Sequence, residues 1–161
     1  MAIIKPWVVN ASPLILLGKL QRLDLLERLA PALSVPEAVI REVAAGADRG
    51  EATDTVAWAR ERMQTDVPVA TSVGAWDLGA GESQVISHCL AVSAIAVLDD
   101  GAARACAQAH GLSLIGTLGV ILRARKQGLI PAARPLIEEL RHAGSFLDRG
   151  LVEREMAKLH E

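Results

Sequence analysis

The sequence predicts an α/β fold in which a parallel β-sheet is covered by helices on both faces. Short apolar runs rich in Val, Ile and Leu alternate along the chain with longer segments whose apolar residues recur at helical spacing. Strands that alternate with helices in this way form parallel sheets. A chain of 161 residues is long enough to build one such domain with a substantial core. Residues 1–161 are therefore predicted to form a single domain with a helical C-terminal tail from about residue 131.

Five strands are predicted from short buried runs and the turn residues around them. The first and fourth, Trp7–Val9 and Ile95–Leu98, are the most regular because every residue in them is apolar. The weakest is Val67–Val69, and Pro68 places it at a sheet edge, because proline cannot donate to a neighbouring strand. The five predicted strands are 7–9, 32–35, 67–69, 95–98 and 112–115.

The predicted helices occupy the intervals between the strands and the C-terminal third. Ser12 and Pro13 supply an N-cap and a first-turn proline for the first helix. Residues 46–55 are rich in Gly and Asp and are predicted to form a loop that leads into a helix ending at Arg62. Residues 71–81 are also predicted to be a loop. The remaining predicted helices are 14–20, 24–30, one opened by Pro36, 82–92, 101–110, 117–127, 131–143 and 151–160.

Composition excludes several classes of protein. Aromatic residues make up only 2% of the chain, which predicts an aliphatic core and argues against the stacking platforms used by proteins that bind single strands. The formal net charge of −2 gives no global attraction to nucleic acid, although residues 119–149 carry six Lys or Arg against three Asp or Glu. That basic stretch is either a solvated helix face or a rim that contacts phosphates.

Cysteine usage and hydropathy indicate the compartment. Cys89 and Cys106 have neither disulfide nor metal-ligand spacing, which is typical of buried thiols in a reducing environment. The apolar N-terminal segment is broken by Lys5 and Pro6 and has no small-residue cleavage site. No apolar run reaches the length of a membrane span. We therefore expect a cytoplasmic protein with no membrane partner.

Polar side chains follow or flank the predicted strands. In an open parallel sheet, the loops after the carboxyl ends of the strands line the ligand crevice. Several carboxylates that converge there repel one another unless a cation lies between them, and Mg²⁺ is held by carboxylates, water and substrate phosphates. The pattern therefore predicts a small metal-dependent phosphodiesterase. Its candidate site residues are Asn10, Ser12, Glu42, Glu82, Asp99 and Asp100.

Each candidate also has a structural explanation. Asn10 could shape the turn after the first strand, and Ser12 is expected to cap a helix, although its hydroxyl could also orient a neighbouring carboxylate. Glu42 could be an exposed helix residue, and Glu82 could stabilise the first turn of its helix through the helix dipole. Asp99 and Asp100 end a strand and begin a helix, so one is expected to cap the helix and the other to face the crevice.

Seven short segments spread over nearly the whole chain carry a family resemblance. They are Val9 to Ile15 (VNASPLI), Leu23 to Leu26 (LDLL), Val35 to Val39 (VPEAV), Gly79 to Glu82 (GAGE), Leu98 to Asp100 with Ala103-Arg104, Gly116 to Gly119 (GTLG) and Gly128 to Pro131 (GLIP). Together they resemble a PIN domain. The resemblance is greatest to a bacterial and archaeal PIN-like group, catalogued as a domain of unknown function, that is often associated with toxin–antitoxin pairs.

The resemblance implies a three-layer α/β/α fold with five parallel strands in the order 3-2-1-4-5. It also implies a Mg²⁺- or Mn²⁺-dependent ribonuclease site of three or four acidic residues. The second and third acids correspond to Glu42 and Glu82, and the fourth to Asp100 or its neighbour Asp99. The first is an aspartate in active members such as VapC-type toxins, and it is Asn10 here. The PIN-like group often has asparagine at that position.

Two hypotheses from different classes follow. In the first, the protein is a metal-dependent endoribonuclease and the toxin of a toxin–antitoxin pair. The four acids then hold one or two Mg²⁺ or Mn²⁺ ions, Asn10 and Ser12 position water at the metal, and the basic residues of 119–149 contact phosphates of an RNA substrate. A small antitoxin protein would be the partner. In the second, the fold is a binding module without catalysis that acts through a protein or nucleic acid, as Asn10, the net acidity and the few aromatics favour.

Two further expectations concern assembly and a rival fold. The high hydrophobic content of 51% and the amphipathic tail after Pro131 predict a homodimer. A phosphoryl-accepting receiver domain would also place adjacent aspartates after a strand. It fits poorly, because no suitably placed Lys follows a later strand.

Overall fold

A five-stranded parallel sheet forms the centre of the molecule. The computed structural model describes residues 4–46 and 53–161. In it the strands lie in the order β3-β2-β1-β4-β5, which confirms the predicted order. The strands are β1 (Trp7–Val9), β2 (Leu33–Pro36), β3 (Met63–Gln64), β4 (Ile95–Val97) and β5 (Leu114–Ile115).

Helices surround this sheet, consistent with a three-layer α/β/α arrangement. Between the first two strands lie α1 (Ala11–Lys19) and α2 (Asp24–Leu29), and α3 (Glu37–Gly46) and α4 (Thr53–Arg60) follow β2. The connection from β3 to β4 contains α5 (Thr71–Gly74) and α6 (Ala80–Val92), and α7 (Gly101–Ala109) joins β4 to β5. The chain then continues through α8 (Thr117–Lys126), α9 (Arg134–His142) and α10 (Arg149–Lys158). None of the helices in the described residues has the length and hydropathy needed to cross a membrane.

The central strands are buried on both faces. Strand β1 pairs with β4 through Val8–Ala96 and Val9–Val97, and its other edge pairs with β2. All three residues of β1 are buried, as expected for a strand covered by helices on both sides. This pairing places the carboxyl ends of β1 and β4 side by side. Asn10 follows one of these ends, and Asp99 lies just beyond the other.

The core is aliphatic, as the composition predicts. Its largest fully buried side chains include Leu14, Leu26, Ile86 and Leu98, and Trp7 is an aromatic member of the buried set. Both cysteines are free and buried, which confirms the expectation of buried thiols.

The third strand lies a few residues earlier than predicted. Residues Met63 and Gln64 pair with β2, whereas residues 67–69 form no strand. The main chain of Val67 is engaged by the side chain of Gln84: its N–H donates to Oε1 at 2.9 Å, and its carbonyl accepts from Nε2 at 2.7 Å. Because this amide satisfies both main-chain groups, the apolar Val67–Val69 segment does not pair as a strand. Its prediction as a strand was wrong.

Several helix boundaries also differ from the predictions, including the starts of α9 at Arg134 and α10 at Arg149, which were predicted at residues 131 and 151. Helix α1 begins at Ala11 with Asn10 in the N-cap position, so the assignment of Ser12 as the N-cap was wrong. The helix predicted to end at Arg62 ends at Arg60, and the loop predicted for residues 71–81 contains the short helix α5 and the start of α6. Residues 47–52 of the other predicted loop lie outside the described residues.

Candidate active site

All six candidate residues line one cleft at the carboxyl ends of β1 and β4. The cleft has a volume of about 710 Å³, and we call it the acidic cleft. Its opposite wall is formed by residues 143–146, between α9 and α10. The residues that the sequence analysis singled out are therefore brought together by the fold. The candidate residues that line the cleft are Asn10, Ser12, Glu42, Glu82, Asp99 and Asp100.

A larger hollow of about 830 Å³ lies away from the strand ends, among residues of α1, α2 and α4. Two of its acids, Asp24 and Glu27, already have partners. Asp24 accepts from Arg22 at 2.9 Å, and Glu27 accepts from the indole of Trp58 and from Arg62, both at 2.6 Å. Charges that are neutralised in this way exert little pull on a cation. The acidic cleft is therefore the better candidate although it is smaller.

Asp99 is held by three hydrogen bonds. Its Oδ1 accepts from the main-chain N–H of Thr117 at 2.7 Å, and its Oδ2 accepts from the Thr117 hydroxyl at 2.6 Å and from the Ser12 hydroxyl at 3.1 Å. Asp99 thus joins the end of β4 to the first turns of α1 and α8. Ser12 orients a carboxylate, as the sequence suggested. No role was assigned to Thr117 from sequence. The signal that could have indicated a role is its position directly after β5 and Gly116.

Asp100 caps the next helix. Its Oδ2 accepts from the main-chain N–H of Ala103 at 3.0 Å, at the start of α7. One member of the aspartate pair was expected to cap and the other to face the crevice, and the structure assigns the capping bond to Asp100. Its second oxygen, Oδ1, is not used by that cap, and the residue is exposed at the edge of the acidic cleft.

Asn10 is the most distinctive residue of the cleft. It is only 2% exposed, and its side-chain oxygen Oδ1 has no hydrogen-bond partner. Its side chain makes no capping bond to α1, so capping does not explain why it is there. An unpaired buried carbonyl oxygen is unfavourable, and in native proteins such groups almost always contact a donor, water or ion.

Glu42 approaches Asn10 across the main chain of Gly81. A Cβ atom at Gly81 would lie 2.8 Å from Oε1 of Glu42 and 3.2 Å from Oδ1 of Asn10. Glycine is therefore required there for this close approach. Although Glu42 is largely exposed as a residue, burial of its carboxyl group and the negative charge of Glu82 raise its pKa, and the main-chain amide of Gly81 partly offsets the shift. Glu82 thus lies near enough to oppose the ionisation of Glu42.

The basic residues of the C-terminal third are arranged differently from the acids. Among the residues of the acidic cleft none is basic. Arg125, Arg134 and Arg141 make ion pairs with Glu161, Glu153 and Glu138 at 2.7, 3.2 and 2.9 Å. These contacts favour a solvated, ion-paired helix surface over a phosphate-binding rim for that part of the stretch.

A parallel sheet in the order 3-2-1-4-5 with acidic side chains at its carboxyl end defines a PIN-like protein. The family model DUF3368, a PIN domain, matches residues 6–161. The chain therefore belongs to this PIN-domain family.

The fold is also found among solved structures. The crystal structure of PAE2754 from Pyrobaculum aerophilum superposes with a TM-score of 0.55 at 14% sequence identity, covering 75% of this chain and 97% of that one. At this identity the similarity shows the fold alone. No curated protein matches the sequence significantly.

PIN domains generally use divalent metal ions, and the cleft can be tested against that requirement. Its donors are carboxylate and amide oxygens, which suit a hard divalent cation, and Oδ1 of Asn10 is a buried oxygen that lacks a partner. Within residues 4–46 and 53–161, however, no three His, Cys, Asp or Glu side chains form a compact metal-binding group. The residues fit a cation, with uncommitted oxygens on Asn10, Glu42 and Glu82.

Proposed function

We propose that the protein is a metal-dependent endoribonuclease of the PIN class. The observation that carries this proposal is the unpartnered, buried Oδ1 of Asn10, which lies beside Glu42 and Gly81 in a cleft lined by acids. A structural asparagine would place that oxygen on a donor. An oxygen that serves as a ligand to a cation has no hydrogen-bond donor, and Oδ1 of Asn10 has none. Membership of a PIN-domain family supports RNA as the substrate.

Asn10, Glu42 and Glu82 would hold the cation, which we propose to be Mg²⁺ or Mn²⁺. Asp99 and Asp100 complete the negative lining and would contribute at longer range, because most of their oxygens already accept hydrogen bonds. When bound, the cation supplies Lewis acidity towards the phosphoryl oxygens of the substrate.

The side chains of the cleft have separate tasks in this proposal. Glu42 and Glu82 would hold the cation against the phosphate, and the water that attacks phosphorus would lose its proton to solvent as the bond to the leaving oxygen breaks. Ser12 lies against Asp99 and directs that water towards the phosphate. Asp99 fixes Ser12 and the start of α8, so it maintains the shape of the site.

We further propose that the activity is that of a toxin with a small antitoxin partner, acting as a homodimer in the cytoplasm. Support comes from the resemblance to the PIN-like group often associated with toxin–antitoxin pairs. An adjacent gene for a small protein that co-purifies with this chain and blocks RNA cleavage would support the toxin role. Light scattering that gives only a monomer at micromolar concentration would argue against the homodimer.

The second candidate function is a PIN-like binding module without catalysis. The observation that favours it is the neutral Asn10 at the position of the first acid, together with the engagement of Asp99 and Asp100 in structural hydrogen bonds. Such a module would use the same surface to bind nucleic acid or a protein without cleaving a phosphodiester.

A metal titration combined with a cleavage assay distinguishes the two candidates. The nuclease should bind Mn²⁺ by calorimetry and cleave single-stranded RNA in Mn²⁺ but not in EDTA. Glu82→Gln should reduce both properties, whereas Glu139→Gln, the same change at an exposed site on α9, should alter neither. A pure protein that binds no Mn²⁺ and leaves RNA intact would refute the nuclease.

A further inference from the structure

Phe146 is exposed beside the acidic cleft. It is the single Phe of the chain, and 94% of its surface is accessible. It lies in the connection between α9 and α10 and lines the same cleft as Asn10. Isolated exposed apolar residues are common on protein surfaces, so exposure alone does not assign a role. The position of this ring relative to two neighbouring hollows does.

A second hollow of about 480 Å³ adjoins the acidic cleft, and we call it the side groove. Asp99, Ser145 and Phe146 line both hollows. A strand of nucleic acid that leaves the acidic cleft in this direction therefore passes Asp99, Ser145 and Phe146.

Unlike the acidic cleft, the side groove is lined by a positively charged side chain. Arg104 lines it and donates its Nη1 to the carbonyl of Leu98 at 2.8 Å. A Cβ atom at Gly116 would lie 3.0 Å from that Nη1 and 3.0 Å from Oδ1 of Asp99. The guanidinium is thus placed at the border of the two hollows, where it can attract a phosphate that has passed the acids.

The main chain on both sides of Phe146 is fixed. Gly144, with φ of +101°, ends α9 and donates its N–H to the carbonyl of Arg141 at 3.0 Å. On the other side, Asp148 caps α10 by accepting from the N–H of Leu151 at 2.7 Å. Leu147 packs against the core. The ring is therefore presented to solvent from an anchored connection, which reduces the conformational entropy lost on stacking.

We propose that Phe146 stacks on an unpaired base of single-stranded RNA next to the phosphate held in the acidic cleft, with the strand continuing towards Arg104. This inference rests on the proposed function. A stacked base needs one accessible aromatic face and a nearby cation for the following phosphate, and both are present. A protein helix would need a continuous exposed apolar face. Among the leucines that line the side groove, Leu151 is 40% exposed and the others are more buried.

The test separates stacking from general apolar contact. Binding of an RNA oligonucleotide containing 2-aminopurine is measured by stopped-flow anisotropy and fluorescence quenching in Mn²⁺, in the interval before cleavage. Phe146→Ala should weaken binding by about 5- to 150-fold and remove the quenching. Phe146→Trp should restore both, and Phe146→Leu should not. Val92→Ala, at an apolar residue of α6 that is 62% exposed, serves as the matched control and should change neither.

Kinetics in Mn²⁺ give the second readout. Phe146→Ala should raise KM by a similar factor and change kcat less than about threefold, because the ring binds the strand and not the reacting phosphate. Thermal melts should be unchanged, since the ring makes few contacts to lose. If RNA is never cleaved but the variant still loses binding and quenching, the nuclease fails and the stacking role stands.

Three results would overturn the stacking role. One is cleavage by Phe146→Ala with wild-type KM and quenching, which would leave the nuclease intact. Another is wild-type RNA affinity in Phe146→Leu, which would show apolar contact without stacking. A third is unchanged RNA affinity with loss of self-association, which would assign the ring to a protein interface.

Discussion

Replacement of Asn10 by aspartate tests the candidate site most directly. Oδ1 of Asn10 and Oε1 of Glu42 both lie within about 3 Å of the same point above Gly81, so the two atoms are no more than about 6 Å apart. A negative charge added at that distance costs roughly 3 kcal/mol at an effective dielectric constant of about 20. For a domain of this size, that loss lowers the Tm by about 6–12 °C. We expect Asn10→Asp to show this destabilisation in EDTA.

Divalent metal should reverse the loss. A carboxylate attracts a cation more strongly than an amide oxygen does, so Mn²⁺ should bind Asn10→Asp at least about tenfold more tightly, a difference of roughly 1.4 kcal/mol. Mn²⁺ at about 100 times its Kd should then restore about 2.7 kcal/mol. RNA cleavage should rise in parallel if the proposed nuclease is correct.

Calorimetry and thermal melts with and without Mn²⁺ measure these effects. Gln64→Glu is the matched control, because it adds the same charge at an exposed position of β3 away from the cleft. It should alter neither Mn²⁺ affinity nor the Tm in EDTA by a comparable amount. If Asn10→Asp has wild-type Mn²⁺ affinity and a Tm within about 2 °C of wild type, Asn10 does not belong to a metal site and the reasoning is refuted.

Three other substitutions probe the site and its supports. Gly81→Ala should weaken Mn²⁺ binding by about tenfold because its Cβ would displace Glu42; Gly46→Ala, at the end of α3 and outside the cleft, where a Cβ would meet nothing within 4 Å, is the calorimetric control. Asp100→Ala should cost about 0.5–2 kcal/mol in denaturant unfolding, and Asp100→Asn should cost less because asparagine also caps; equal losses would argue against capping. Hydrogen bonds from the start of α9 lower the pKa of Glu161, so its stabilisation exists above the ordinary carboxyl pKa and is lost as pH falls through the folded value. Glu161→Gln should therefore cost about 1 kcal/mol at pH 7, and its difference from wild type in thermal melts should shrink as the pH falls below the ordinary carboxyl pKa.

The central part of the fold was predictable because its signal is local. Strands β1 and β4 are buried on both faces and consist of apolar residues, so the sequence shows them directly. Strand β3 has two exposed residues and one neighbour, so it leaves no apolar run to detect. The apolar Val67–Val69 segment had the appearance of a strand, but its main chain bonds to Gln84, a partner 17 residues away. No local pattern identifies such a partner.

The members of the candidate site were predictable, but the division of tasks among them was not. Asn10, Asp99 and Asp100 follow strands, and Glu42 and Glu82 lie on the helices α3 and α6 between strands, which are properties of position in the sequence. Whether an aspartate caps a helix, anchors a neighbouring helix or faces a cation depends on which donors reach it. The donors to Asp99 come from Ser12 and Thr117, which are 87 and 18 residues away in the chain, whereas the donor to Asp100 is Ala103, three residues on. Only the contact between Ala103 and Asp100 is local enough to be anticipated from sequence.

The neutral residue at position 10 has a consequence for charge in the proposed site. Asp99 has committed both oxygens to hydrogen bonds and Asp100 one of its two, so we assign the cation in the proposed site to Glu42 and Glu82. These two carboxylates balance one divalent cation. A third carboxylate at position 10 would strengthen metal binding but would leave an excess negative charge, and its repulsion would destabilise the metal-free protein. Asparagine supplies the same oxygen donor without that repulsion. Compared with aspartate, asparagine at position 10 therefore lowers the metal affinity of the proposed site and raises the stability of the metal-free protein. It does not by itself remove the site.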